Sequence, residues 1–133
     1  MAVSACVLPS VRKHAAQAHP FEACGLLLGS VEDGAMRISS AVEARNVHPT
    51  PRTHFEIDPQ ALIDAYRAER QGGPVVMGHY HSHPTGDPRP SRIDAAGAPG
   101  DGLIWAICAG GRVEFWKDEA DGFEALSYSR FDP

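Results

Sequence analysis

The chain has 133 residues, enough for one domain spanning 1–133 that buries roughly two thirds of its unfolded surface. Its 17 acidic and 12 basic side chains leave a net charge of −5 with no run of Lys or Arg, which argues against a polyanion-binding surface for nucleic acid or for an anionic membrane. No stretch has the apolar length of a transmembrane helix, no basic-then-apolar leader opens the chain, and Cys6, Cys24 and Cys108 are widely spaced, so a cytoplasmic protein with reduced thiols is expected.

Leu8 to Ala18 is Ala-rich, with Val11, Ala15 and Ala18 at helical spacing; Ser10 is available as its cap and Pro20 prevents its continuation. Cys24 to Gly29 is an unbroken small and apolar run, too short for a helix, and reads as a strand buried on both faces with Glu22 where it begins. A carboxylate there faces a cleft or has a partner. Asp33-Gly34 is a hairpin signal, and Met36, Ile38, Ser40 and Val42 alternate with more polar neighbours, so the second strand should pair antiparallel with the first. Glu43 to His54 carries Pro49 and Pro51 and no periodicity; it reads as an irregular loop of the kind that borders sites.

Asp58 caps and Pro59 opens the clearest helix, in which Gln60, Asp64, Arg67 and Gln71 form a polar stripe opposite Leu62, Ile63 and Tyr66, and Gly72 ends it. That helix should cover one face of the sheet. Val75 to Met77 begins a buried strand, followed by a Pro/Gly-rich turn and a short helix from Ser91. Ala98-Pro99-Gly100 then leads to an apolar strand, Leu103 to Cys108. Gly110-Gly111 turns the chain into a return strand with Val113, Phe115 and Trp116, and Asp121-Gly122 into a last strand with Phe123, Ala125 and Leu126. This order of elements predicts an α/β fold, a mixed β-sheet packed between helices.

The chemistry concentrates in Gly78 to Asp94. Alternation along the strand sends His81 and His83 to one face, and Ser91 caps a short helix whose first turn can return the Asp94 carboxylate toward them. Two nitrogens and one oxygen, with a fourth position open, form the protein ligand set of a catalytic zinc, Zn2+. Each half also has a plainer reading: His-x-His as polar residues on a solvated face, and Ser-x-x-Asp as an ordinary capping box. His79 shares the face of His81 and His83, and spacing alone does not exclude it as a ligand. Cys24 would need an activated thiolate to act as a nucleophile, whereas a thiol inside an apolar strand is ordinarily inert packing.

The combination His81-Ser82-His83-Pro84, six residues, Ser91, two residues, Asp94 closely resembles the signature of the JAMM/MPN+ zinc metalloproteases. Pro20-Phe21-Glu22-Ala23-Cys24-Gly25, with His14-Ala15 ahead of it, resembles the upstream part of the same pattern, so the resemblance runs from about His14 to Asp94. It implies a cytidine-deaminase-like JAMM/MPN fold, zinc held by His81, His83 and Asp94, Glu22 as general base and Ser91 as a donor to the oxyanion. It leaves His79 to packing or to hydrogen bonding behind the ligands, and His14, His19, His48 and His54 to other roles. For the small bacterial single-domain type it also implies a peptidase or isopeptidase whose partner is a ubiquitin-like sulfur-carrier protein, cleaved after its C-terminal Gly-Gly. Two other classes stand beside this reading. A non-catalytic MPN scaffold typically lacks the ligands that are all present here. A zinc hydrolase of a small amide substrate, such as a deaminase, would need a Pro-Cys-x-x-Cys that the chain does not have.

Overall fold

The computed structural model describes residues 1–133. In chain order the elements are β1 (Ala2–Ser4), α1 (Val7–Ala18), β2 (Cys24–Glu32), β3 (Ala35–Ala44), α2 (Pro59–Arg70), β4 (Val75–Ser82), α3 (Arg92–Gly97), β5 (Ile104–Ala109), β6 (Arg112–Glu119), β7 (Gly122–Leu126) and β8 (Ser129–Phe131). The strands form one mixed sheet in the order β7-β6-β5-β4-β2-β3-β1-β8. The β2–β3 hairpin turns on Asp33 and Gly34, both at positive φ (49° and 78°), which is the backbone of the two-residue turn matching strand twist. β4 and β5 run parallel, so the chain between them must cross over the sheet, and that crossover carries α3.

The two faces of the sheet are packed differently. On one face Val7, Leu8 and Val11 of α1 bury against Leu27, Ile38, Tyr80, Ile104 and Phe115 in the main apolar cluster. The His14 ring and the Tyr80 hydroxyl, 2.6 Å apart, add a polar tie between α1 and β4. The other face has a smaller cluster of Cys24, Leu26 and Ile57, covered by Ala61, Leu62 and Ala65 of α2. A bulge gives β4 an extra residue, Met77, between the partners of Leu27 and Leu28. It resets the alternation, so that Met77 and Tyr80 both join the α1 cluster while His79 and His81 face the other side. Between β4 and β5 the backbones approach so closely that a Cβ on Gly78 would lie 1.8 Å from the Ile104 carbonyl oxygen.

The mixed sheet with helices on it agrees with the sequence reading, and several local expectations change. Ser10 lies inside α1; the helix starts earlier, with Cys6 in the capping position and no side-chain cap. Asp58 does cap α2, accepting from the Gln60 amide at 3.1 Å. The inward stripe of α2 is Ala61, Leu62 and Ala65, so Leu62 packs as expected, whereas Ile63 and Tyr66 are exposed. Glu43 and Ala44 belong to β3 rather than to the loop. β7 is not the last strand: β8 follows it and pairs parallel with β1, and neither three-residue strand has a hydrophobic pattern long enough to read.

Leu27 is fully buried, so Leu27→Ala should cost about 3 kcal/mol in urea unfolding. Ile63→Ala, at a position 48% exposed, should stay within about 0.5 kcal/mol. A large loss at Ile63 would contradict the packing assigned to α2.

Candidate metal centre

β2 and β4 are antiparallel, so the start of one lies beside the end of the other, with Cys24 opposite His81. Past that pair the Ser82 amide donates to the Ala23 carbonyl (3.0 Å), and the Ala23 amide donates to Ser82 Oγ (2.8 Å). Glu22, next in the chain, is thereby brought to the end of β4 where the histidines stand. The His83 amide donates to the Cys108 carbonyl at 2.8 Å, which carries the β4–β5 pairing one residue further.

Over this edge the crossover places α3. Ser91 Oγ accepts from the Asp94 amide (3.0 Å) and Asp94 Oδ2 accepts from the Ser91 amide (2.9 Å), a reciprocal capping box that fixes the carboxylate. That carboxylate meets both histidines: Asp94 Oδ2 lies 3.2 Å from His81 Nε2 and 3.1 Å from His83 Nε2, and the two Nε2 atoms are 3.0 Å apart. One ligand atom from each residue falls within 4.8 Å of the others. His83 Nδ1–H donates to the Asp87 carbonyl at 2.7 Å, which leaves the Nε2 lone pair directed at the group. The His81 ring is fully buried and stacks on Phe55, centroids 4.3 Å apart and planes within 16°. Lone pairs of an imidazole and a carboxylate thus converge with no Lys or Arg paired to Asp94. A divalent cation would satisfy them, and nitrogen with carboxylate oxygen is a donor set that suits a first-row transition ion.

Electrostatics divide these groups. Burial lowers the pKa of His81, against the Asp94 bond that raises it. Burial also acts to lower that of His83, but its bonds to Asp94 and Asp87 outweigh it and the net shift is upward. For Asp94 burial alone would raise the pKa, and the two imidazole bonds together pull it far below the usual carboxylate range. Glu22, 6% exposed, has no side-chain partner, and burial raises it from 4.5 to about 7. Cys24 is fully buried and its thiol is pushed to about 12, first by burial and then by Glu22, so at neutral pH it is not a thiolate.

The structure brings Glu22, His83 and Ser91 together on the wall of one cleft of about 460 Å³, whose other walls are Arg52-Thr53 and the turn from Pro84 to Pro90. The Ser91 oxygen accepts the capping bond and its proton is left to donate into that cleft. His79 stands apart from the three-ligand group, packed against Trp105 (4.5 Å) and Phe55 (5.6 Å), and burial takes its pKa down to about 3. Ser82, Phe55 and Asn46 also shape the site and were not singled out from the sequence. Their parts are played by contacts distant in the chain, which leave no periodicity or spacing to read.

A buried, unpaired carboxyl has a measurable consequence. A Glu whose pKa is higher folded than unfolded binds more protons in the folded state, so its contribution to stability is intact below pH 4.5 and lost as pH rises through about 7. At about 1.4 kcal/mol per unit the full loss is on the order of 3.5 kcal/mol. In metal-free protein, Glu22→Gln should therefore gain stability relative to wild type between pH 5 and pH 8 in urea unfolding; parallel pH profiles would show that Glu22 is not desolvated.

Comparison with known proteins agrees with this geometry. The family model described as prokaryotic homologs of the JAB domain matches residues 4–119. The chain is 34% identical to a desampylase from Haloferax volcanii over 91% of this chain and 86% of that one. It is 35% identical to a protein from Thermus thermophilus named "Probable TtuB-protein conjugate cleaving protease", over 66% of this chain and 56% of that one. It is 33% identical to a CysO-cysteine peptidase from Mycobacterium tuberculosis, over 61% and 53% respectively, so these last two matches span about half of the relatives' length. Among solved structures, a protein from Desulfitobacterium hafniense superimposes with a TM-score of 0.87 at 26% identity, covering 99% of this chain and 93% of that one. A JAB1/MPN domain protein from Archaeoglobus fulgidus superimposes at 0.63 and 20% identity over 99% and 97%, and shows the shared fold. With the fold, the His-His-Asp cluster and a family match over most of its length in agreement, the chain belongs to the prokaryotic JAB/MPN domain family.

Proposed function

We propose that the chain is a zinc-dependent peptidase or isopeptidase that hydrolyses the bond after the C-terminal Gly-Gly of a ubiquitin-like sulfur-carrier protein. The chain is an enzyme of the hydrolase class, as its relatives named as peptidases are. The observation that carries the finer reading is the meeting of His81, His83 and Asp94 beside a cleft that also holds Glu22 and Ser91. His81, His83 and Asp94 would hold the zinc. Zinc in such a ligand set supplies Lewis acidity and makes hydroxide available near neutral pH.

The chain's own residues divide the remaining work. Glu22 takes the proton of the attacking water on its carboxylate and returns it to the departing nitrogen; a pKa near 7 suits a group that must do both. Ser91 keeps its oxygen on the Asp94 amide and donates its proton to the oxyanion of the acyl carbon under attack. The loop around Arg52 and the turn from Pro84 to Pro90 confine the substrate between them. An extended tail ending in two glycines suits such a cleft, because no Cβ keeps its backbone away from the reacting groups. A substrate of this kind is supported by relatives named for cleaving a TtuB-protein conjugate and for acting on CysO-cysteine.

Elemental analysis should find one zinc per folded chain, lost in His81→Ala, His83→Ala and Asp94→Ala; loss in His79→Ala, with the other three still loaded, would overturn the ligand set.

Glu22→Gln should keep its zinc and lose about 100-fold or more in turnover, since an amide cannot accept the proton. Mass spectrometry of sulfur-carrier proteins bearing a C-terminal amino acid or peptide should show release after Gly-Gly in the zinc-loaded enzyme. Efficient digestion of casein with no cleavage of any such adduct would overturn the substrate reading.

A further inference from the structure

The amide of Asn46 makes four hydrogen bonds, all to backbone. Nδ2 donates to the carbonyls of Glu22 and His54, each at 3.0 Å, and Oδ1 accepts from the amides of His48 and Glu56, each at 3.1 Å. Only one orientation of the side chain allows this, because a flipped amide would set its oxygen against two carbonyls and its NH2 against two amides. The ends of the segment from Val47 to Glu56 are joined by backbone bonds, from the Val47 amide to the Glu56 carbonyl (2.9 Å) and from the Asp58 amide to the Arg45 carbonyl (3.0 Å); the Asn46 side chain braces the loop from within and ties it to Glu22. The tie is doubled by the Glu22 amide, which donates to the Pro51 carbonyl inside the same loop at 2.8 Å. Beyond residue 22 the chain is held by the paired bonds of Ala23 and Ser82.

The Glu22 side chain has no hydrogen-bond partner of its own, so its direction is set by its backbone. Of the bonds to that backbone, one comes from Asn46 and the other from the loop that Asn46 braces. The same loop ends in Phe55, directly after His54, whose ring stacks on His81. One side chain is thus bonded both to the Glu22 backbone and to the loop whose Phe55 ring stacks on His81.

We propose that Asn46 is a positioning residue for hydrolysis: it holds the Glu22 backbone and the Phe55-bearing loop in one arrangement, and acts on the rate through Glu22. This rests on Glu22 being the general base. A displacement of about 1 Å in a reacting group can cost on the order of 100-fold, so a loosened clamp should be visible in turnover while the substrate is still bound.

The test combines kinetics with hydrogen exchange. Asn46→Asp keeps the acceptors for His48 and Glu56 but loses both donated bonds; Asn46→Ala loses all four. With zinc content unchanged, either variant should lower kcat at least about 10-fold with KM within about two-fold. In a Glu22→Gln background the same substitutions should change the residual rate less than about two-fold, because the group they act through is already disabled. An equal loss in both backgrounds, or no loss in wild type, overturns the proposal. Independently of activity, metal-free Asn46→Asp should exchange its Glu22 amide proton at least about 10-fold faster with Leu27 unaffected, and an unchanged Glu22 overturns it. If wild type hydrolyses no adduct, the peptidase reading fails, and the exchange measurement still decides whether Asn46 clamps Glu22.

Discussion

The arrangement of the site depends on the register of β2 against β4. Two antiparallel strands place a beginning beside an end, and the bonds between Ala23 and Ser82 set which residues meet there. A shift by one residue would turn Glu22 away from the histidines and send Cys24, Leu26 and Leu28 to the opposite face of the sheet. Ser82 is the hinge of this arrangement: it sits between His81 and His83 in sequence, yet its hydroxyl holds the strand that carries Glu22. The parallel pairing of β5 on the other side of β4 adds the second requirement, a crossover, and so delivers α3 and its carboxylate to the same edge.

Burial acts on every titratable group of the site, and what differs is how each is compensated. Asp94 has two imidazoles and a backbone amide and stays ionised in spite of its desolvation. Glu22, near enough for the Asp94 charge to act on it, has no such partner, and burial raises its pKa to about 7. Cys24 is fully buried with its thiol directed at the Ala44 carbonyl (4.0 Å), and burial followed by Glu22 pushes its pKa to about 12. Two neighbouring carboxyl groups thus have pKa values shifted in opposite directions, because one is hydrogen-bonded and the other is not.

Features set by local rules were legible in the sequence. Alternation predicts that His81 and His83 share a face, and the Ser91–Asp94 spacing predicts a capping box; both rules act over a few residues. The Asp33-Gly34 turn and the Asp58-Pro59 helix start belong to the same class. What was missed is held by contacts remote in the chain. β1 and β8 are three residues each and exist by pairing with one another and with β3. α2 turns Ala61, Leu62 and Ala65 toward the Cys24, Leu26 and Ile57 cluster, leaving Ile63 and Tyr66 outside against the expectation from size. Asn46 lies in a stretch with no periodicity, and its importance rests on partners at residues 22, 48, 54 and 56 that only the folded loop brings together. His79 met the alternation rule as well as His81 did; the depth of Trp105 beside it removes it from the cluster.

The capping box has a thermodynamic consequence for the cluster it supports. Asp94 Oδ2 is held by the Ser91 amide as well as facing the two imidazoles, so the start of α3 itself orients the carboxylate. This is the opposite of a zinc finger, where the ion is what folds the chain. An ion bound in this cluster would meet an oxygen ligand already oriented by the helix start, with less ordering entropy left to lose. The carboxylate at position 94 is for that reason not interchangeable with an imidazole. A histidine there would offer a nitrogen to the ion but no anionic oxygen to the Ser91 amide, and the helix would keep only half of its capping box, the bond from the residue-94 amide to the Ser91 hydroxyl.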